Sequence, residues 1–309
     1  MAVYTQVPSE ALQALIARYD VGDLVSAKGI AEGVENSNFL VDTTGGRFIL
    51  TLYERRVDAG DLPFFLALLG HLADRGNPVP RALRDRHGVQ VQQAVGRPAC
   101  LIEFLPGVSV TRPSPAQAQA TGAALGRMHL GLRDFAGSRP NSLGLAGWHA
   151  LAERCGDQLD AIESGLRKRV SNELAWLDTH WPSTLPRAVV HGDLFPDNVL
   201  MLGDRVTGLI DFYFSCTEIR AWDLAVTHSA WSFVPDYDPA LGDALIAGYE
   251  TEHPLLPEER AAFPALARGA CLRFLLTRAW DWLNTPADAL VTRKDPLAFL
   301  SRLDHYAAL

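Results

Sequence analysis

Three residues in one stretch of the chain have the types and spacing for phosphoryl transfer. Asp193 stands in His191-Gly192-Asp193-Leu194-Phe195-Pro196-Asp197-Asn198, with Asn198 five positions on and Asp211, in Ile210-Asp211-Phe212, eighteen positions on. Such a transfer needs one carboxylate to orient an attacking hydroxyl and accept its proton, and hard oxygen ligands for the Mg2+ that bridges nucleotide phosphates. A carboxamide oxygen and a second carboxylate meet the latter need without placing two acids beside an already anionic nucleotide. Asp193 is therefore expected as the base, and Asn198 and Asp211 as the metal ligands. His191 is read as a packing and hydrogen-bonding residue beneath the loop. Asp197 is read as a turn residue.

The elements that must hold these residues can be read from periodicity. Residues 8–20 form a helical pattern, with Ser9 as its expected cap ahead of Leu12, Leu15 and Ile16. Short strands are expected at 25–30, 37–42 and 47–53, with Gly45-Gly46 turning between the last two. A helix is expected at 61–75, then strands at 82–84, 89–93 and 100–104. From residue 114 onward helices dominate, at 115–131, 145–158, 164–180, 239–251, 257–284 and 296–306, and a β island at 188–214 carries the reactive residues. The fold class is thus α+β with two lobes. Residues 1–104 form a small β-rich N-lobe and residues 105–309 a larger, mostly helical C-lobe.

Composition removes other classes. The chain has 309 residues, 48% hydrophobic and 21% charged, with a net charge of −8. That hydrophobic fraction supports a real core and excludes disorder. The acidic balance argues against a nucleic-acid partner, whose phosphates call for a basic surface. No apolar run spans a bilayer and no secretory signal is visible, so a cytoplasmic protein without a membrane partner is expected. Cys100, Cys155, Cys216 and Cys271 are scattered and read as reduced, packed thiols.

His-Gly-Asp-x-x-Pro-x-Asn followed by Ile-Asp-Phe resembles the catalytic core of the kinase superfamily in its aminoglycoside/choline phosphotransferase branch, where HGD stands for the HRD of protein kinases and IDF for DFG. Together with the segments at 33–39, 48–54, 61–76, 191–199, 210–218 and 273–284, it is similar to the phosphotransferase-type homoserine kinases over nearly the whole chain. The resemblance implies a bilobal protein-kinase-like fold, ATP and Mg2+ as cofactors, and L-homoserine as a small-molecule substrate converted to O-phospho-L-homoserine. A monomer or homodimer is expected. Spacing alone points only to a kinase. Choline or ethanolamine, methylthioribose and aminoglycosides stay open as acceptors, as does a non-catalytic nucleotide-binding module.

In the nucleotide half, residues 29–38 lie between two expected strands, where kinases cover the phosphates. Gly33 permits a close backbone approach, and Ser37 and Asn38 could donate hydrogen bonds. Glu103, Phe104 and Leu105 fall where the backbone of a kinase meets the adenine. The chain departs from the kinase pattern in the third strand, which carries Thr51 near the place of the usual lysine. Of 28 basic residues only Lys28, Lys168 and Lys294 are lysines. The helix at 61–76 also lacks a Glu to pair with such a lysine, so both members of the ion pair are gone together. Arg55 or Arg56 is the expected substitute, with Lys28 and Arg47 behind them. On the substrate side Tyr213 and Arg278 are expected beside Asp193. Arg278 shares a helical stripe with Cys271, Phe274, Leu275 and Trp282, and a guanidinium there needs an anion. Asp223 and the substrate carboxylate are the two candidates. Arg273 is the weaker rival for the carboxylate.

Overall fold

Alternation builds the N-terminal sheet. In β2 (Ser37–Thr43) every second side chain, Ser37, Phe39, Val41 and Thr43, points inward. It pairs antiparallel with β1 (Leu24–Gly29) and with β3 (Gly46–Leu52), the latter in the register Val41↔Phe48. β5 (Arg97–Glu103) and β4 (Gln92–Ala94) complete an antiparallel sheet of order β1-β2-β3-β5-β4. Helix α1 (Ser9–Ile16) lays Leu12, Leu15 and Ile16 on Val41, Leu50 and Leu101. Helix α2 (Leu62–Asp74) buries Phe65, Leu66, Leu68 and Leu69. This computed structural model describes residues 5–30, 36–54, 58–285 and 293–309. They fall into two compact units, Met1–Pro106 and Gly107–Leu309.

Three expectations for the first unit need correction. Ser9 is the first helical residue, not the cap: Pro8 occupies that position and no side chain caps the helix. Residues 82–84 form no strand, since Ala82 makes only an isolated bridge to Ile102. The expected strand at 89–93 shrinks to β4 because the Asp85 carboxylate accepts the N–H groups of His87 and Val89, at 2.9 and 2.8 Å, and so fixes a turn.

The second unit is mostly helical. It contains α3 (Pro115–Gly131), α4 (Leu145–Cys155), α5 (Leu159–Ile162) and α6 (Leu166–His180) ahead of the β island. The island comprises β6 (Arg187–Val190), β7 (Val199–Leu202), β8 (Arg205–Leu209) and β9 (Cys216–Ile219), paired as β6–β9 and β7–β8. After it come α7 (Arg220–Trp231), α8 (Pro239–Glu252), α9 (Pro257–Ala261), α10 (Phe263–Asn284) and α11 (Leu297–Ala307).

Helix α7 is absent from the sequence reading. All of its residues are buried, so it has no polar face and shows no 3.6-residue period. The single helix expected over 257–284 is broken at Ala262, because Pro264 has no N–H to continue the ladder and instead starts α10. Helices α3 and α8 cross with their backbones in contact: a Cβ on Gly122 would collide with the Leu245 carbonyl oxygen. All four cysteines are buried thiols, and burial pushes Cys100 up to about 11 and Cys216 to about 12. Among the described residues no helix is long and apolar enough to cross a membrane.

Candidate active site

The loop between β6 and β7 has no ladder of its own, so its shape is imposed by hydrogen bonds from around it. Phe195 N–H donates to the Asp193 carbonyl at 2.8 Å, and Asn198 N–H to the Phe195 carbonyl at 2.9 Å. Pro196 starts the short 3-10 turn Pro196–Asn198, where its missing N–H is not needed. Asn198 Nδ2 then reaches back to the Asp193 carbonyl at 2.7 Å and to Asp193 Oδ2 at 3.2 Å. Two of the three reactive residues are thereby tied directly together.

The third is brought in by the β7–β8 hairpin. Its register pairs Val199 with Leu209, and Ile210 N–H donates to the Asn198 carbonyl at 3.1 Å. Asp211, the next residue, adopts φ 66 and ψ 58. A non-glycine residue in the left-handed region is uncommon, though aspartate tolerates it better than most, and such backbone gathers at working sites. The turn that follows, Phe212–Phe214, leaves Tyr213 half-buried.

His191 lies under the loop, fully buried. Its Nε2–H donates to the Ile210 carbonyl at 3.0 Å, and its Nδ1 accepts the Asp193 N–H at 3.2 Å. Burial holds its pKa below the ordinary imidazole value, which keeps the neutral ring this pattern requires. The expected packing role agrees with these contacts. Asp197 is exposed and pairs with Lys294 at 3.4 Å.

Four anchors escaped the sequence reading. Asp223 of α7, fully buried, accepts the backbone N–H groups of His191 and Gly192 at 2.7 Å each. Burial alone would raise its pKa, but the hydrogen bond and charge of His129, with His191 and the Gly192 N–H, hold it below the usual carboxylate range. The His129 ring bridges Asp223, at 3.0 Å, and the Tyr249 hydroxyl, at 2.9 Å. Trp231 Nε1 donates to the Leu194 carbonyl at 3.0 Å. Arg273 donates to the Gly192 carbonyl. Of these the sequence singles out Asp223, in Trp222-Asp223-Leu224, only as one of two candidate partners for Arg278, and Arg273 only as the weaker candidate for the substrate carboxylate.

That partnership is not formed. Asp223 is committed to His129 and the loop backbone, whereas Arg278 donates to the Asp295 carbonyl at 3.1 Å and lies over the Phe299 ring at 4.5 Å. Arg278 is half-buried. Burial, then the charge of Arg302, pushes its pKa down to about 10, while Asp193, Asp197 and Asp295 pull the other way. Arg273, expected as the weaker carboxylate binder, is instead buried against the loop backbone.

In the first unit Thr51 is buried and donates to Asn38 Oδ1 at 2.7 Å. The strand position near that of the usual lysine therefore holds a neutral pair. Ser37 is a correction: its side chain is fully buried and its hydroxyl donates to Glu54 Oε1 at 2.8 Å, so it is not offered to a phosphate. Asn38 keeps its amide nitrogen apart from that Thr51 bond. Glu103 Oε2 accepts the Arg81 N–H at 3.1 Å, Phe104 is exposed under Arg47, and Leu105 is half-buried. Arg47 is held by Asp42 at 2.7 Å and Lys28 is exposed. Gly33, Arg55 and Arg56 lie outside the described residues.

This loop, hairpin and two-unit build agree with what comparison finds. Residues 26–263 match the phosphotransferase enzyme family, and the chain belongs to that family. Along its full length it is 55% identical to the homoserine kinase of Zymomonas mobilis, covering 99% of this chain and 97% of that one. It is 50% identical to the homoserine kinase of Xanthobacter autotrophicus over 100% and 97% of the two chains. Among solved structures, an amicoumacin kinase complex superposes with a TM-score of 0.72 at 16% identity, over 97% of this chain and 93% of that one. The choline kinase of Cryptosporidium parvum gives 0.68 at 14%, over 97% and 95%. Those two likenesses are of fold, and the fold is that of the protein-kinase-like phosphotransferases.

Proposed function

We propose that this chain transfers the γ-phosphoryl group of ATP to the hydroxyl of L-homoserine, giving O-phospho-L-homoserine and ADP. The substrate is carried by the 55% identity to a homoserine kinase over essentially both chains. The reaction class is supported by the loop that ties Asp193 to Asn198 and sets Asp211 beside them.

Asp193 is the base. It receives the proton of the homoserine hydroxyl as that oxygen attacks phosphorus, and the nucleotide diphosphate leaves with the bridging oxygen's electron pair. The Asn198 amide steadies Asp193 Oδ2. Because the Asn198 nitrogen is directed at Asp193, its Oδ1 is free to serve a cation, and Asp211 adds a carboxylate oxygen. Among the described residues no group of three or more His, Cys, Asp or Glu could hold a metal alone. Mg2+ takes a few protein oxygens and completes its shell with phosphate and water. Bound there, it would offset charge on the transferring phosphoryl group. Arg278 takes the substrate carboxylate and Tyr213 lies beside the acceptor. Nucleotide contacts belong to the first unit, from Asn38 and from the backbone of Glu103, Phe104 and Leu105.

A coupled assay of ADP release with homoserine, choline, methylthioribose and kanamycin tests this reading. The expected result is a preference for homoserine of about a hundredfold or more in kcat/KM, with O-phospho-L-homoserine identified by phosphorus NMR. Turnover of another acceptor with none of homoserine would reject the substrate, and ATP turnover with no acceptor at all would reject the kinase.

A further inference from the structure

The Asp193 carboxylate can act as a base only if its backbone is aimed, and the loop that carries it has no regular structure to do this. The aim is set at Gly192. This residue has φ 76, and a Cβ on it would stand 3.1 Å from the Phe214 carbonyl oxygen, so any other residue would be both strained and crowded there. Its N–H points to Asp223 Oδ1 at 2.7 Å. Its carbonyl points the other way, to the guanidinium of Arg273. A buried anion on α7 and a buried cation on α10 therefore meet on the two peptides that flank one residue.

Arg273 is built for a fixed position. It is 2% exposed, and its guanidinium lies 5.1 Å from the Phe214 ring centroid, 5.5 Å from that of Trp222 and 4.4 Å from that of Phe274. The planar fork stacks on such faces while its N–H groups stay in one plane, which an ammonium on a flexible stem does not do. Helix α10 packs on α4, α6, α7 and α11, so the guanidinium is referenced to the centre of the unit. The carbonyl it holds belongs to the Gly192–Asp193 peptide, whose N–H end donates to His191 Nδ1. Both ends of that peptide are gripped, and its plane determines where the Asp193 side chain starts.

We infer that Arg273 is a positioning residue for phosphoryl transfer, holding the Gly192–Asp193 peptide in the orientation that aims the Asp193 carboxylate at the acceptor hydroxyl. The inference rests on Asp193 being the base of the proposed kinase. It acts on the chemical step and not on substrate binding, and a misplacement of about 1 Å is enough to slow a positioned reaction roughly a hundredfold.

The test is a double-mutant cycle in the full-length enzyme between Arg273→Lys and Asp193→Asn, with Arg273→Gln as a neutral donor beside it. Wild-type turnover and Asp193→Asn alone report on the kinase reading independently. Arg273→Lys is expected to lower kcat about 10- to 100-fold while KM for ATP and for homoserine stays within about threefold and the thermal melt remains cooperative. Arg273→Gln is expected to fall further. The double variant is expected to turn over no more slowly than Asp193→Asn, because a misaimed residue that is no longer a base has nothing further to lose. Losses that multiply, a rise in either KM with kcat unchanged, or a wild-type kcat in Arg273→Lys would each overturn the inference. So would the absence of a cooperative melt in both Arg273 variants, which would make the residue architecture.

Discussion

Asn198 and Asp193 share two contacts through one amide: Asn198 Nδ2 is 2.7 Å from the Asp193 carbonyl oxygen and 3.2 Å from Asp193 Oδ2. The same side chain thus sets the backbone and the carboxylate of the base, and offers its own oxygen on the opposite side. Asn198→Asp removes the donor and puts a second carboxylate against the first, so one of the two must take a proton or move away. We expect kcat with homoserine to fall by about 10²-fold or more, on the scale seen for loss of a general base, with no gain from added Mg2+. A rate within about threefold of wild type would show that the amide donor is dispensable.

Asp193→Asn keeps shape and volume but cannot accept a proton. The expected loss is about 10²–10⁴-fold in kcat. The melting temperature should hardly move, because Asp193 is half-buried and the loop is held through its backbone by Asp223, Trp231 and Arg273. Steady-state kinetics beside a thermal melt decide it. An early melt with proportionate loss of activity would make Asp193 a structural carboxylate.

Stability should carry a histidine-driven acid limb. His191, His228 and His253 are buried, and burial pushes each below the ordinary imidazole range, His228 and His253 to about 4. In the unfolded chain imidazole binds its proton near pH 6.5. Below that pH the unfolded state takes up protons that the folded state refuses, so unfolding is favoured by acid. The contribution is fully present above about pH 7 and is lost as pH falls from about 6.5 toward 4. Calorimetric melts at several pH values should give a plateau on the alkaline side and a falling melting temperature below about pH 6.5. His228→Gln, which alters the Nδ1 contact to the Tyr306 hydroxyl at 2.5 Å, should lower the plateau and make the acid limb shallower. A melting temperature unchanged between about pH 7 and pH 5 would contradict this account.

What could be read from the sequence depended on whether a residue's job is local. Asp193, Asn198 and Asp211 are linked through one loop and one hairpin, so their spacing in the chain already encodes their meeting, and the paired loss of the strand lysine and its Glu is visible as Thr51 and as Phe65, Leu66, Leu68 and Leu69. Asp223 and Arg273 were not legible because each acts on the backbone of a residue 31 or 81 positions away. Nothing in their own neighbourhoods announces that. Helix α7 was lost for a related reason: complete burial erases the polar–apolar alternation that reveals a helix. Ser37 shows the opposite error. Its type suited a phosphate donor, but the inward phase of β2 turns it into the interior, to Glu54.

Arg278 decides how the substrate carboxylate is read. Its guanidinium is half-buried, its hydrogen bond goes to the Asp295 carbonyl rather than to a carboxylate, and the charge of Asp193 is felt there. A guanidinium can bind an α-carboxylate through two parallel N–H contacts. The competing role is to hold Asp295 and the start of α11. The two roles separate with 3-aminopropan-1-ol, which keeps the hydroxyl and amine of homoserine and lacks the carboxylate. If Arg278 binds that group, Arg278→Ala should cost about 2–5 kcal/mol in kcat/KM for homoserine, the scale for removing one partner of a desolvated charge pair. Its rate on the amino alcohol, already poor in the wild type, should stay within about threefold. Arg278→Lys should recover part of the homoserine rate, since charge is kept and the second N–H contact is lost. If both acceptors lose equally and the variant melts earlier, Arg278 holds Asp295 and the carboxylate is bound elsewhere.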